Sequence, residues 1–214
     1  MKKGIIFDMD GTIVDSLPYH YKAWKIFFRE NKVENFSEKL KGYKGGGTLD
    51  FLTAVYGNKY SIKELKIMTD DKEIIFREIY KNNVEPIKGF IKTLKFIKQK
   101  KILVGLASNA LRKNVKMILN ELNIYEDFDS IICGDEVKMG KPNPEMFNET
   151  VSRFKLKKKE CLIFEDSLEG VSAAVNSNVD VIGITSSTSG KVLIDRGCKL
   201  TMDNYLNFDI SVYF

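Results

Sequence analysis

The sequence predicts an α/β protein, a doubly wound parallel sheet interrupted by one all-helical insertion. Three observations predict it. Short, near-continuous apolar runs alternate with amphipathic segments, the pattern of parallel strands buried on both faces. One long stretch, residues 16–82, contains no such run and keeps helical periodicity throughout. Acidic, hydroxyl or amine side chains directly follow four of the apolar runs. That puts them at the carboxyl edge of a parallel sheet, where such sheets bind ligands.

The elements follow in order. Gly4–Asp8 is the first strand. Tyr21, Trp24, Phe27 and Phe28 then share one helical face, and further helices are expected over Leu49–Tyr56 and Ile62–Tyr80. The α/β alternation resumes near Pro86. Phe90, Leu94 and Ile97 mark a helix before the strand Ile102–Ser108; Val115, Ile118, Leu119 and Leu122 mark one before Ser130–Cys133. Asn143 suits an N-cap, with Pro144 at the first helical position. Cys161–Glu165 is the fourth strand, a helix starts near Glu169-Gly170, and Val179–Thr185 is the fifth. Ser186, Ser187, Thr188 and Ser189 read as a polar turn. Residues 1–15 and 83–214 thus form the α/β core domain and residues 16–82 the helical domain. Hinges are expected near Asp15–Pro18 and Asn82–Pro86, and Trp24 is expected at the interface of the two domains.

Composition narrows the function. A chain of 214 residues, 43% of them hydrophobic, can bury a sizeable core. The net charge is only +5 and the lysines are scattered, without interleaved aromatics, so no nucleic-acid partner is expected. Cys133, Cys161 and Cys198 are odd in number and widely spaced, which points to buried thiols in a reducing, cytoplasmic setting. The N-terminus runs straight into a strand, so no signal peptide is expected. No apolar stretch approaches the ~20 residues of a membrane span.

Asp8 and Asp10 end the first strand; Ser108 and Asn109 the second. Gly134-Asp135 and then Gly140-Lys141-Pro142 follow the third, and Glu165-Asp166-Ser167 the fourth. Mg²⁺ wants oxygen ligands and keeps some of its waters, and Asp8 and Asp166 supply two carboxylates from different strands. With a metal present, a phosphate becomes tolerable among the acids. Lys141 adds positive charge. The Ser108 hydroxyl, Asn109 and the backbone about Gly11 and Thr12 can hold phosphoryl oxygens, the positioning that phosphoryl transfer needs. Asp8, fixed at the strand end, is placed as a nucleophile that forms an aspartyl-phosphate. Asp10, two residues on, is placed to protonate the leaving oxygen and then to activate the next nucleophile. Gly11 permits the sharp turn away from the strand. No GxxxxGK[ST] or GxGxxG occurs.

Asp8-Met9-Asp10-Gly11-Thr12, Ser108, Lys141-Pro142 and Glu165-Asp166 resemble the four motifs of the haloacid dehalogenase superfamily, in order along almost the whole chain. The helical insertion resembles the family's small α-helical cap. Asp15-Ser16-Leu17-Pro18-Tyr19-His20-Tyr21-Lys22-Ala23-Trp24 resembles the β-phosphoglucomutase-like branch of sugar-phosphate phosphatases and mutases. The resemblance implies Asp8 as nucleophile, Asp10 as general acid/base, and Ser108 and Lys141 as phosphoryl contacts. It implies Mg²⁺ held by Asp8, the Asp10 carbonyl and Asp166, with Glu165 supporting the metal through water or serving structurally. It also implies a monomer acting on a small phosphorylated metabolite.

His20, the only histidine, either contacts substrate or proton beside Asp10 or ties the hinge to the core by a structural hydrogen bond. Asp135 either nears the metal or caps a helix. Gly45-Gly46-Gly47 either cradles phosphate through backbone N–H groups or, the favoured reading, forms a cap turn that closes over substrate, with Thr48 capping the next helix. The mutase holds its distal phosphate with a cap-loop arginine, whereas Lys41-Gly42-Tyr43-Lys44-Gly45-Gly46-Gly47 has none. Lys44 offers a point charge without bidentate geometry. The thinner grip favours hydrolysis over mutase chemistry.

Overall fold

A computed structural model of the chain describes residues 1–41 and 47–213. The chain divides into two compact units, Met1–Asp15 with Glu85–Phe214, and Ser16–Val84. The first unit is built on a wholly parallel sheet: β1 (Gly4–Phe7), β2 (Leu103–Ser108), β3 (Ser130–Cys133), β4 (Cys161–Glu165), β5 (Asp180–Ile184) and β6 (Leu200–Met202), in spatial order β3-β2-β1-β4-β5-β6. The five expected strands are present. The short edge strand β6 was missed, because three half-exposed residues give no apolar run.

The register explains why chemistry collects at one edge. Phe7 pairs with both Leu106 and Phe164, so β1, β2 and β4 reach the same height. Asp8, Ser108 and Glu165 therefore close neighbouring strands side by side. Alternation along each strand sends side chains to opposite faces. Phe7 and Phe164 stack at 5.1 Å and meet Phe90 and Tyr205 on one face. Ile6, Ala107 and Ile163 pack on the other with Phe147, Val151 and Val171. The covering helices include Phe90–Gln99, Arg112–Glu121, Glu145–Phe154, Leu168–Asn176 and Gly190–Arg196. The third of these starts one residue later than expected. Asn143 nevertheless serves it, its side-chain oxygen accepting from the Glu145 N–H at 2.9 Å.

The second unit is helical: Leu17–Glu30, Phe36–Lys41, Thr48–Tyr56 and Ile62–Tyr80. Ser61 and Glu64 form a capping box at the start of the last helix. Trp24, expected between the domains, is fully buried in this unit's own core with Phe27, Phe28, Leu40, Leu52 and Leu65. Thr48 is the first helical residue rather than the cap, a place held by Gly47. Lys44, with the rest of Gly42–Gly46, lies outside the described residues. Among the described residues no helix is long and apolar enough to cross a membrane.

This apolar unit also buries a charged cluster that the sequence did not announce. Lys72 and Glu73 are almost wholly buried and pair at 2.9 Å. The Thr48 hydroxyl donates to Glu73. Lys72 Nζ lies 2.6 Å from His20 Nδ1, and an ammonium can only donate, so the neutral ring carries its proton on Nε2. The imidazole stacks on Phe76 at 3.8 Å. The polar and ring contacts of His20 thus lie within this unit, with Lys72 and Phe76. Burial, then the Lys72 charge, lowers the His20 pKa to about 3. Burial alone would raise Glu73, but Lys72, His20 and the Thr48 hydrogen bond together outweigh it and hold Glu73 at about 2.

Acid is therefore expected to loosen this unit. Folded His20 titrates near 3 against an ordinary 6.5. Below 6.5 the unfolded chain takes up a proton that the folded one refuses, so stability falls as pH falls. Glu73, at about 2 against 4.5, adds loss in the same direction below 4.5. Trp24 is the only tryptophan, so its fluorescence during denaturation at successive pH values reads the effect. His20→Gln should remove the loss that begins at 6.5 and keep the lower one. A wild-type midpoint that stays constant down to 4.5 would refute the account.

Candidate active site

The strand β1 ends in a turn that its own backbone closes. Asp8 N–H still donates to Phe164 at 3.0 Å, continuing the ladder. The Met9 carbonyl then accepts from Thr12, Ile13 and Val14, while Gly11 N–H donates to Val14 at 2.6 Å. Gly11 has φ +80°, a conformation that L side chains rarely adopt. Asp8 is buried and Asp10 half-buried. Thr12 is fully buried, and its hydroxyl meets no hydrogen-bond partner among the described residues, so it is sealed away rather than offered to a ligand. Its carbonyl accepts from the buried Tyr205 hydroxyl at 3.0 Å, which ties the turn to the segment after β6.

Lys141 arrives from the loop after β3 and reaches the centre. Its Nζ lies 2.5 Å from Asp8 Oδ1 and 2.5 Å from Glu165 Oε1. The loop is fastened on several sides. Asn109, expected to face phosphate, gives its side chain to the Lys141 backbone: Oδ1 accepts the Lys141 N–H at 2.9 Å, and Nδ2 donates to its carbonyl at 3.4 Å. Glu145 accepts from the Lys138 and Met139 N–H groups. Arg112 pairs through two nitrogens with Glu136, and Asp135 accepts from the Arg112 N–H. Asp135 thus caps a helix, one of its two expected readings. Ser108 is buried, its Oγ accepting from the Ala110 N–H at 3.2 Å.

Glu165 is fully buried, with both oxygens engaged. Oε1 takes Lys141; Oε2 accepts from the Asp166 N–H, the Ser167 N–H and the Ser167 hydroxyl. A Cβ on Gly170 would fall 1.8 Å from Glu165 Oε1, so the carboxylate occupies room that only glycine leaves. Asp166 is buried beside it. Ser187 donates to its backbone carbonyl at 3.0 Å, and Ser186 approaches its Oδ2 at 3.3 Å. The serines expected only as a polar turn therefore reach the site. Their signal was position: they follow β5 at the same edge. Nothing in the sequence pointed to Tyr205 or Gly170. Asp8, Asp10, Gly11, Ser108, Lys141, Glu165 and Asp166 all lie in the first unit; His20 lies in the second.

The charges do not balance. Among the described residues, Asp8, Glu165 and Asp166 present oxygens within 4.8 Å of one another, and the Lys141 ammonium reaches two of the three. Burial lifts Asp8 well above the usual carboxylate range; Lys141 pulls it back, and Glu165 and Asp166 push it further. Burial and then Glu165 carry Asp166 up to about 7. Burial disfavours the Lys141 ammonium too, but Asp8 and Glu165 outweigh it and hold its pKa above the usual lysine range. One ammonium cannot satisfy three buried carboxylates, so the site favours a further cation. The uncompensated negative charge calls for a cation, and the donors are all oxygen, the choice of a hard divalent ion such as Mg²⁺. The residues fit such an ion.

The comparisons agree with this geometry. The profile of the haloacid dehalogenase-like hydrolases matches residues 5–184. A phosphorylated carbohydrates phosphatase of Thermotoga maritima is 28% identical over 201 residues, covering 91% of each chain. A β-phosphoglucomutase of Bacillus subtilis is 27% identical, covering 85% of this chain and 83% of its own. The crystal structure of a family IA hydrolase from Entamoeba histolytica superposes with a TM-score of 0.87 at 22% identity, over 100% of this chain and 97% of that one. With a family profile matched over most of its length, the chain belongs to the haloacid dehalogenase-like hydrolases.

Proposed function

We propose that the chain is a Mg²⁺-dependent phosphatase of small phosphorylated carbohydrates that works through an aspartyl-phosphate on Asp8. The observation that carries this reading is the Lys141 ammonium held 2.5 Å from Asp8 Oδ1, beside two further buried carboxylates at the strand ends. The Thermotoga phosphatase, alike over 91% of both chains, supports the substrate class. Asp8, the Asp10 carbonyl and Asp166 would hold the metal, with Glu165 supporting them. When bound, Mg²⁺ neutralises the acids and lets a phosphate dianion approach them.

Asp8 attacks phosphorus while the bond to the substrate oxygen breaks, and Asp10 gives that oxygen a proton. Water then attacks the aspartyl-phosphate, Asp10 takes back a proton, and Asp8 and inorganic phosphate are freed. Lys141 keeps Asp8 oriented and offsets charge on the phosphoryl oxygens, which Ser108 and the backbone at Gly11 and Asn109 also meet. The helical unit is the cap and supplies specificity, with Lys44 as its charge for the substrate. A mutase reading draws on the Bacillus relative, but residues 41–47 lack an arginine. Lys44 cannot match the bidentate hold of a guanidinium on a second phosphate.

Phosphate release with Mg²⁺ over a panel of sugar phosphates is expected to saturate on one class. Asp8→Asn should abolish it, and Asp10→Asn should lower it by roughly 10²–10⁴-fold. Survival of activity in Asp8→Asn sinks the mechanism. Conversion of β-glucose 1-phosphate to glucose 6-phosphate that needs glucose 1,6-bisphosphate and frees little phosphate would instead identify a mutase.

Gly170→Ala tests the anchoring of Lys141 from a distance. Its new Cβ displaces Glu165, which should cost about 1–3 kcal/mol of stability and on the order of 10²-fold in kcat. Chemical denaturation and steady-state rates measure both, and an unaltered kcat would detach Glu165 from the function of Lys141.

A further inference from the structure

We infer that Ser186 is a positioning residue for divalent-cation binding, its hydroxyl locking the Gly11 carbonyl beside the Asp166 carboxylate. The inference rests on the proposed reading of Asp8, the Asp10 carbonyl and Asp166 as the Mg²⁺ ligands. Ser186 lies just beyond β5, and its Oγ stands 2.5 Å from the Gly11 carbonyl oxygen and 3.3 Å from Asp166 Oδ2. A hydroxyl has one hydrogen to donate, and the shorter contact takes it. Donation to Gly11 leaves the lone pairs of the Asp166 oxygen for a cation.

Gly11 itself lies directly against Asp166. A Cβ there would fall 2.1 Å from Asp166 Oδ2 and 2.9 Å from Ser186 Oγ. The loops after β1, β4 and β5 thus meet at one point, and the hydroxyl closes the junction. Ser187 holds the serine loop in place by donating to the Asp166 carbonyl at 3.0 Å. Gly11 adjoins Asp10, so a shift of the unlocked turn would move the Asp10 carbonyl relative to Asp166. Ser186 acts on the ligands' placement and is not itself a ligand.

Hydrogen bonds that orient ligands from outside commonly change metal affinity about 10–100-fold. Ser186 is solvent-exposed, which puts its effect near the lower end. Mg²⁺ binding to the full chain, without substrate, is measured by titration calorimetry for the wild type, Ser186→Ala and Ser186→Thr. Ser186→Ala should raise the Kd about tenfold, Ser186→Thr should restore it to near the wild-type value, and the melting temperatures without Mg²⁺ should agree. Equal Mg²⁺ affinity in the wild type and Ser186→Ala overturns the inference and leaves the metal reading standing. Weak binding by Ser186→Thr, as weak as that of Ser186→Ala, also overturns it, because the hydroxyl is then not the cause. A wild type that binds no Mg²⁺ overturns the metal reading and this inference with it.

Discussion

Lys141 places a positive charge among three buried carboxylates, and much of the α/β core is arranged to keep it there. Without that ammonium, Asp8, Glu165 and Asp166 would repel one another in a place that water barely reaches, where each pays a desolvation penalty. The ammonium touches Asp8 and Glu165. Asp166 is left to its neighbours and to any further cation. A buried ion is stable only when its hydrogen-bonding capacity is met. That need explains why Glu165 spends its second oxygen on the start of the following helix, and why Gly170 must leave it space.

A lysine has four rotatable stem bonds, so a well-defined ammonium needs a well-defined backbone. Asn109 supplies part of it by gripping both the N–H and the carbonyl of Lys141. The Arg112–Glu136 pair and the Glu145 carboxylate hold the approach to the loop. Arg112 is therefore a strut, although an arginine close after a strand-end serine invites a reading as a phosphate contact. Geometry separates the two: its Nε and Nη2 are taken by Glu136 and the Ile131 carbonyl. The same argument applies to Asn109, whose side chain acts on a neighbouring backbone.

Fold class was legible because parallel strands buried on both faces must be apolar along most of their length, and β1, β3 and β4 are, with polar Ser130 and Glu165 only at strand ends. The edge strand β6 escapes that rule, since nothing covers it fully and its residues need not be apolar. The residues gathered at the strand ends were legible for a related reason: the register fixes which strands end together, and position along a strand is a one-dimensional quantity. What side chains do across loops is not. Ser186 and Tyr205 join Gly11 and Thr12 from 175 and 193 residues away. No local pattern marks such a pair. Thr12 shows the converse, a residue whose motif suggests a ligand contact but whose hydroxyl packing has enclosed.

The second unit offers a comparison that clarifies the first. It too buries a lysine, Lys72, beside a carboxylate and a polar ring. There the ammonium faces Glu73 and a neutral imidazole, so the near charges cancel, and the Thr48 hydroxyl serves the carboxylate. Such a cluster needs nothing from outside and acts as an internal brace among the helices. Around Lys141, among the described residues, three carboxylates face one cation, and burial together with the surplus raises the acids Asp8 and Asp166. The two lysines are alike in burial and in having a carboxylate partner. The difference is the sign and size of the charge left over, and only a site with charge left over has reason to recruit an ion.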